Sequence, residues 1–451
     1  MPDSLTARDP RDLLSDLMDA ARKAGADAAD AVLFDSASLS LAQRLGRPER
    51  LERSESMDLG LRVFVGRRQA VVSSTDRRPA MLAELVERAV AMARAVPEDP
   101  FCGIADPDAV ARGPFPDLDA EDPAEPAPEL LIERAKAAEA AALSVAGVTN
   151  SEGAEAGWSR GGVWLAASNG FVGGYAVTRH SLSVSVIAGE GTAMEVDYDY
   201  SSTVYGEDLE DPEVLGRRAG ERAVKALNPR KLSTRRVPVV YDPRAARSLV
   251  GHLAGAINGS AVARGTSFLK DRMGQRIFAP GIEIVDDPSV RRGLRSKPFD
   301  GEGIAPVRRR VIEDGVLTTW FLDLRSSRQL GLASTGHASR GTSSPPSPAP
   351  TNLYLAAGRR TPEEMVRGIE DGVYVTKLMG QGANGVTGDY SRGAAGFRIE
   401  KGEITHPVSE ITVAGNLKEM FPAMEPATDL EFKTGMDAPT VLVDGMTVAG
   451  S

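Results

Sequence analysis

Ser181-Leu182-Ser183-Val184-Ser185-Val186-Ile187-Ala188 decides the fold class. Serine and aliphatic residues alternate there. A period of two puts Leu182, Val184 and Val186 on one face of a strand and Ser181, Ser183 and Ser185 on the other. Upstream, Trp158–Phe171 contains Asn169-Gly170, a two-residue turn signal that folds the chain back as a hairpin. Further out, Ala31-Val32-Leu33-Phe34, Leu59–Val65 and Val71-Val72 also read as strands. Helices flank them. Asp9-Pro10 opens one that carries Leu13, Leu14, Leu17, Met18 and Ala21 at helical spacing. Others run over about 79–96, 129–143 and 212–227. The expectation is an α+β protein: an N-terminal domain, 1–232, of mixed helices and strands with helices on a sheet.

Beyond Arg230–Arg236 the pattern changes. A strand Val237–Tyr241 leads through Asp242-Pro243 into a helix, 244–257. Most of the remainder reads as β. Hairpins are expected at Asp314-Gly315, Lys401-Gly402 and Asp444-Gly445, and a short helix is capped by Thr361, Pro362 and Glu364. This β-rich C-terminal domain spans 237–451. Within the N-terminal domain, residues 106–128 hold six prolines among acidic residues and read as a linker or surface excursion. Gly341–Pro350 reads as a mobile Pro/Ser loop.

The chain has 451 residues, with 53 Lys+Arg against 63 Asp+Glu and a net charge of −10. A surface built to coat nucleic acid would be basic, so nucleic acid is not an expected partner. Cys102 is the single cysteine, which excludes an internal disulfide and a cysteine metal cluster. No apolar run is long enough for a membrane span, and Met1–Pro10 has no apolar leader core, so a cytoplasmic location is expected.

Motifs for chemistry are mostly missing. His180, His252, His337 and His406 form no i, i+4 pair with an adjacent Glu. Gly380-Gln381-Gly382-Ala383-Asn384-Gly385 fits a GxGxxG spacing, but Gly388, Gly393 and Gly396 follow where a phosphate-binding helix would have to start. Ser339 lies two residues from His337 outside any GxSxG context. Two basic clusters, Arg217–Arg236 and Arg291–Arg310, read as solvated surface or as a contact for an acidic partner.

The runs Asn258–Leu269, Asp286-Asp287-Pro288, Phe299-Asp300-Gly301-Glu302-Gly303, Thr351-Asn352-Leu353-Tyr354 and Thr387–Phe397 resemble the TldD/PmbA family. Pro407–Leu417 is similar to its PmbA (TldE) branch. The resemblance covers nearly the whole chain and is densest beyond residue 237. It implies a subunit of a cytoplasmic zinc metalloprotease complex that degrades or trims unfolded peptides. "Modulator of DNA gyrase" is a historical label of the same family. The TldD branch carries zinc on an HExxxH helix. Counted back from Arg264, those positions fall here on Val250, Gly251 and Gly255, which can neither bind zinc nor take a proton.

The resemblance therefore implies no catalytic residue, metal or cofactor in this chain, with zinc in a TldD-type partner. It also implies a homodimer when alone and a heterocomplex with that partner. Candidate substrate-binding residues are Arg264, Gly265, Thr266, Ser267, Thr351, Asn352, Gly380, Gly382 and Gly385. Two other readings stay open: a stand-alone metallopeptidase or hydrolase with an unrecognised site, and a non-catalytic peptide-binding scaffold.

Overall fold

A computed structural model describes residues 9–450. Of the N-terminal stretch read above for a leader, Met1–Arg8 lie outside the described residues. Helix α1 (Pro10–Lys23) begins at a capping Asp9, whose carboxylate accepts the N–H of Arg11 at 2.8 Å. The strands β1 (Ala28–Arg44), β2 (Arg47–Val65) and β3 (Arg68–Ser74) follow, and then α2 (Pro79–Ala95). The same order then recurs: α3 (Pro128–Leu143), β4 (Val148–Ala167), β5 (Val172–Ala188), β6 (Glu195–Thr203) and α4 (Pro212–Lys225). The six strands make one antiparallel sheet in the order β3-β2-β1-β4-β5-β6. Two αβββα units thus join at β1 and β4, and the order reads alike outward from that pair.

The strand phase fixes which face the helices cover. Ala29, Ala31 and Leu33 of β1 pack under α1 and α2, while Leu39 and Leu41 of the same strand pack under α3 and α4. All five residues are odd-numbered, so all four helices lie on one face. The alternation at 181–186 serves the same purpose, with Leu182, Val184 and Val186 buried beneath the second helix pair. Each leucine so buried contributes about 1.5–3 kcal/mol. Strands β1 and β4 are much longer than the sequence suggested. Ser36, Ser38 and Ser40 of β1 occupy the face away from the helices while Leu39 and Leu41 continue the core.

That second face meets the C-terminal half. Val32, Leu165 and Phe171 close over Phe299, and Phe115 sits 5.1 Å from the Phe299 ring. Phe115 belongs to the acidic, proline-rich stretch, which lies as a docked strap rather than a free linker. Ala111 N donates to Gly303 O at 2.8 Å, Arg292 N to Leu118 O at 2.9 Å, and Thr178 N to Ala120 O at 2.9 Å.

The C-terminal half begins with β7 (Arg235–Tyr241), α5 (Pro243–Ala256) and the short α6 (Gly259–Ala263). It continues through β8 (Ile284–Asp287), β9 (Arg309–Glu313), β10 (Val316–Leu317), α7 (Leu324–Leu330), β11 (Ala338–Ser339), β12 (Ser347–Pro348), β13 (Asn352–Leu355) and α8 (Pro362–Arg367). It ends with β14 (Asp371–Met379), β15 (Asp389–Glu400), β16 (Glu403–Asn416), α9 (Leu417–Met420), β17 (Met424–Pro426), β18 (Met436–Asp437) and β19 (Val441–Ala449). Strands β16, β15, β14, β7 and β19 pair in sequence, and β19 pairs back onto β16, closing a barrel. A second sheet runs β10-β9-β8-β13-β18. Helix α5 packs against strands of both, with Leu249, Val250 and Leu253 in the shared core.

The hairpin expected at Asp444-Gly445 does not form. Both residues lie inside the single strand β19, at a register shift between Val443 and Met446, with Gly445 at φ +72°. The Asp-Gly pair here serves a bulge rather than a turn. The stretch Gly341–Pro350 is anchored at several points: β12 pairs with β11, and Asn258 Nδ2 donates to Pro348 O at 2.7 Å. At Thr342 it crosses the N-terminal sheet so closely that a Cβ on Gly60 would lie 2.4 Å from the Thr342 carbonyl oxygen.

Candidate functional site

Helix α5 is where a metal-binding helix would have to supply its ligands. Asp242 caps it, accepting Arg244 N at 2.9 Å. Val250 is fully buried in hydrocarbon. Gly251 has only the Met436 sulfur nearby, and Gly255 faces open space. His252 offers the one imidazole on the helix. Its Nε2 is buried without a hydrogen-bond partner among the described residues, and its ring meets Tyr390 edge-on at 5.7 Å. Burial, and then the positive charge of Arg392, push its pKa down, so the ring is held neutral. A lone neutral imidazole beside a guanidinium does not fit a zinc ion, which needs several anionic or imidazole ligands. Among the described residues no group of three or more His, Cys, Asp or Glu is placed to hold a metal.

Beyond the C-terminus of α5, the segment Arg264–Ser267 meets the glycine-rich loop. Arg264 caps α6 and Gly265 turns the chain at φ +73°. Thr266 is exposed, its hydroxyl donating to Ala261 O at 3.2 Å. Ser267 is buried and donates to Ala256 O at 2.5 Å, tying this segment to the last turn of α5. The next residue, Phe268, donates its N–H to Gly385 O at 2.9 Å. The two stretches therefore form one surface, with a glycine edge beside an exposed threonine.

The other candidates divide. Gly380 ends β14 at φ +75°. Gly382 is pinned inside its own hairpin: a Cβ there would lie 1.8 Å from Ser391 O. Because β15 follows the glycine loop, a dinucleotide site, which needs a helix there, is absent. Thr351 and Asn352 belong to a separate buried network. Thr351 N donates to Asp286 Oδ1 at 2.7 Å, and Asn352 Nδ2 donates to Asp287 O at 2.7 Å and Ser296 Oγ at 2.8 Å. His337 joins that network, with Nδ1 2.8 Å from Thr335 Oγ1 and Nε2 3.4 Å from Asp286 Oδ2. It is not paired with Ser339. These residues hold β8 against β13 and the loops around them.

The basic clusters are largely neutralised within the chain. Arg218 pairs with Asp199 and Glu210, and Arg235 with Asp371. Arg292 pairs with Asp119, Glu207 and Asp208, and Arg310 with Glu283 and Glu313. No helix among the described residues is long and apolar enough to cross a membrane.

Family models for the PmbA/TldA metallopeptidase domain 1, central domain and C-terminal domain match residues 29–93, 121–227 and 234–450. A metalloprotease PmbA of Escherichia coli O157:H7 is 41% identical over 426 residues, 94% of this chain and 92% of its own. The chain belongs to the PmbA/TldD family. It falls in the PmbA branch. A PmbA homolog of Haemophilus influenzae is 36% identical over 98% of this chain and 96% of its own. A Bacteroides thetaiotaomicron crystal structure bearing a DNA gyrase modulator name superposes with a TM-score of 0.90 at 29% identity, covering 98% of this chain and 99% of that one. TldE of Thermococcus kodakarensis shares the fold, with a TM-score of 0.87 at 21% identity over 97% and 100% of the two chains. The family models for domain 1 and the central domain fall on the first and second αβββα units respectively.

Proposed function

We propose that this chain is the non-catalytic subunit of a TldD-type zinc metalloprotease complex acting in the cytoplasm on unfolded peptides. It pairs with itself when alone and with a TldD-type chain when that partner is present, and the partner supplies the zinc. The observation that carries the reading is α5: a buried Val250 and two glycines, Gly251 and Gly255, stand where the resemblance puts the ligands and base of the catalytic branch. In this reading residues 1–232 and 237–451 act as two domains, the first building the wall and the second facing the partner's metal.

The surface formed by Arg264–Ser267 and Gly385 holds the substrate main chain. A protease that accepts many sequences needs contacts common to all of them, and exposed backbone groups beside a glycine provide these. Gly385 tests this cleanly. A Cβ there would meet only Thr266 O, at 3.9 Å. Gly385→Val should therefore leave folding and partner affinity unchanged and slow cleavage of an unstructured peptide by the reconstituted complex. Normal cleavage by that variant would remove this surface from the mechanism. Peptide turnover by the wild-type chain alone would overturn the non-catalytic assignment.

A further inference from the structure

Between the open face of the N-terminal sheet and the C-terminal half lies a cavity of about 160 Å³. Phe34, Val163, Leu165 and Phe299 form apolar walls, and Arg340, Lys297, Tyr175 and Asp300 contribute the polar lining. Arg340 brings a buried positive charge to the cavity's edge. Its side chain is 1% exposed, and Nη1 donates to Asp30 Oδ1 at 2.5 Å. Its Nε and Nη2 are buried with no hydrogen-bond partner among the described residues. Neither nitrogen has surface open to the cavity, so Arg340 acts on its contents through charge.

Two donors line the same space. Neither the Lys297 ammonium nor the Tyr175 hydroxyl has a hydrogen-bond partner among the described residues. The charge around the cavity favours an anion. Asp30 is shared by Arg62 and Arg340, and those two cations keep it ionised against its burial. Asp300, the carboxyl in the lining, is taken up by backbone donors: Glu302 N and Ile304 N at 2.9 Å on one oxygen and Ala338 N at 3.0 Å on the other. Burial raises its pKa and so weakens its repulsion of a guest.

We propose that this cavity binds a small carboxylate with an apolar tail, its carboxylate on Lys297 and Tyr175 beside the positive charge of Arg340, and its tail against Phe34, Val163 and Phe299. Such a guest would touch both the sheet and the C-terminal half and brace their junction.

The test is calorimetric titration of the full chain with isovalerate, with its neutral amide, and with inorganic phosphate, all at matched ionic strength. Isovalerate should bind saturably, one per chain, and the amide should not. Lys297→Met and Tyr175→Phe should each keep the wild-type Tm, and Lys297→Met should weaken isovalerate about tenfold through loss of a charged hydrogen bond. Phosphate distinguishes a general oxyanion pocket from one shaped for a carboxylate. Saturable phosphate binding without isovalerate binding overturns the proposal, as does no isovalerate binding or binding that neither variant weakens.

Discussion

The two αβββα units share a sheet and an order of elements, yet they close their helix layers by opposite means. In the first, Leu13, Leu14 and Leu17 of α1 and Leu82, Leu85 and Val86 of α2 cover the sheet. Large side chains leave room between them, and among the described residues a cavity of about 490 Å³ opens between α1, α2 and Trp164. In the second, Ala135, Ala138 and Ala142 of α3 oppose Gly216, Ala219, Gly220 and Ala223 of α4. There the helices meet backbone to backbone: a Cβ on Gly216 would lie 2.0 Å from Ala138 O, and one on Gly220 2.8 Å from Ala142 O. The same topology thus tolerates either bulk with a void or contact without one, and the residue sizes decide which.

The largest expected effect tests that contrast. Gly216→Val should cost about 3 kcal/mol or more, because backbone rather than a movable side chain stands in the way. Ala20→Leu, which adds bulk beside the cavity of the first unit, should change stability by less than about 1.5 kcal/mol in either direction. Urea unfolding of both variants checks the pair, and equal costs would break the comparison.

The units also differ in how they grip the C-terminal half. The first does so through a buried carboxylate, Asp30, between Arg62 and Arg340, all with side chains at most 4% exposed. Asp30→Asn strands two guanidinium groups and should cost about 3–5 kcal/mol. The second unit uses Asp197, on which Arg244 sits at 3.0 Å and Lys377 at 3.2 Å, with both cations partly exposed to water. Asp197→Asn should cost only about 1–2 kcal/mol by the same measurement.

Acid–base behaviour sharpens the difference. Burial pushes the Glu302 carboxyl up to about 8, with Arg62 opposing and Asp300 and Asp323 reinforcing the shift. Between the ordinary carboxyl value and 8, the folded chain therefore binds a proton that the unfolded chain has lost. Stability then falls as pH rises through that window, by at most about 1.4 kcal/mol per pH unit for one proton. Glu302→Gln should flatten this fall, so that its advantage over wild type grows from pH 5 to pH 8 in thermal melts. A constant difference across that range would show that Glu302 does not titrate there.

The smallest effect concerns the sheet edges. Among the described residues no strand pairs beyond residues 47–58 of β2, and their Arg and Glu side chains are exposed, which guards an open edge. The equivalent half of β5, residues 172–179, is crossed by the strap, as Thr178 N bonds to Ala120 O. Leu51, 52% exposed, should therefore accept Thr with a change under about 0.5 kcal/mol in urea unfolding. A larger loss would mean that this edge is covered in solution.

Much of the framework was legible because its punctuation is local. Asp9-Pro10, Asp211-Pro212, Asp242-Pro243 and Thr361-Pro362 each open a helix through a cap and a preset φ. The Asn169-Gly170 and Lys401-Gly402 turns each put a glycine at positive φ. Asp444-Gly445 carries the same signal but was resolved differently by pairing with β7 and β16, which only the closed barrel reveals. The repeated unit was hidden because one copy is packed with leucine and the other with alanine and glycine. At the candidate site, the segment at Arg264 and the glycine loop are legible as motifs, and Phe268 N joins them through Gly385 O. The Arg340 cavity left no such mark, since its lining comes from β1, β4, β5, the loop at 297–301 and β11 with the residue after it, brought together by the contact between the sheet and the C-terminal half.

The account rests on a chain that carries no catalytic zinc of its own. Native mass spectrometry of the chain alone, and of its complex with a TldD-type partner, measures this directly. The account predicts no retained zinc on the isolated chain and, in the complex, one zinc for each partner chain. A stoichiometric zinc on the isolated chain, lost together with peptide cleavage on chelation, would contradict it.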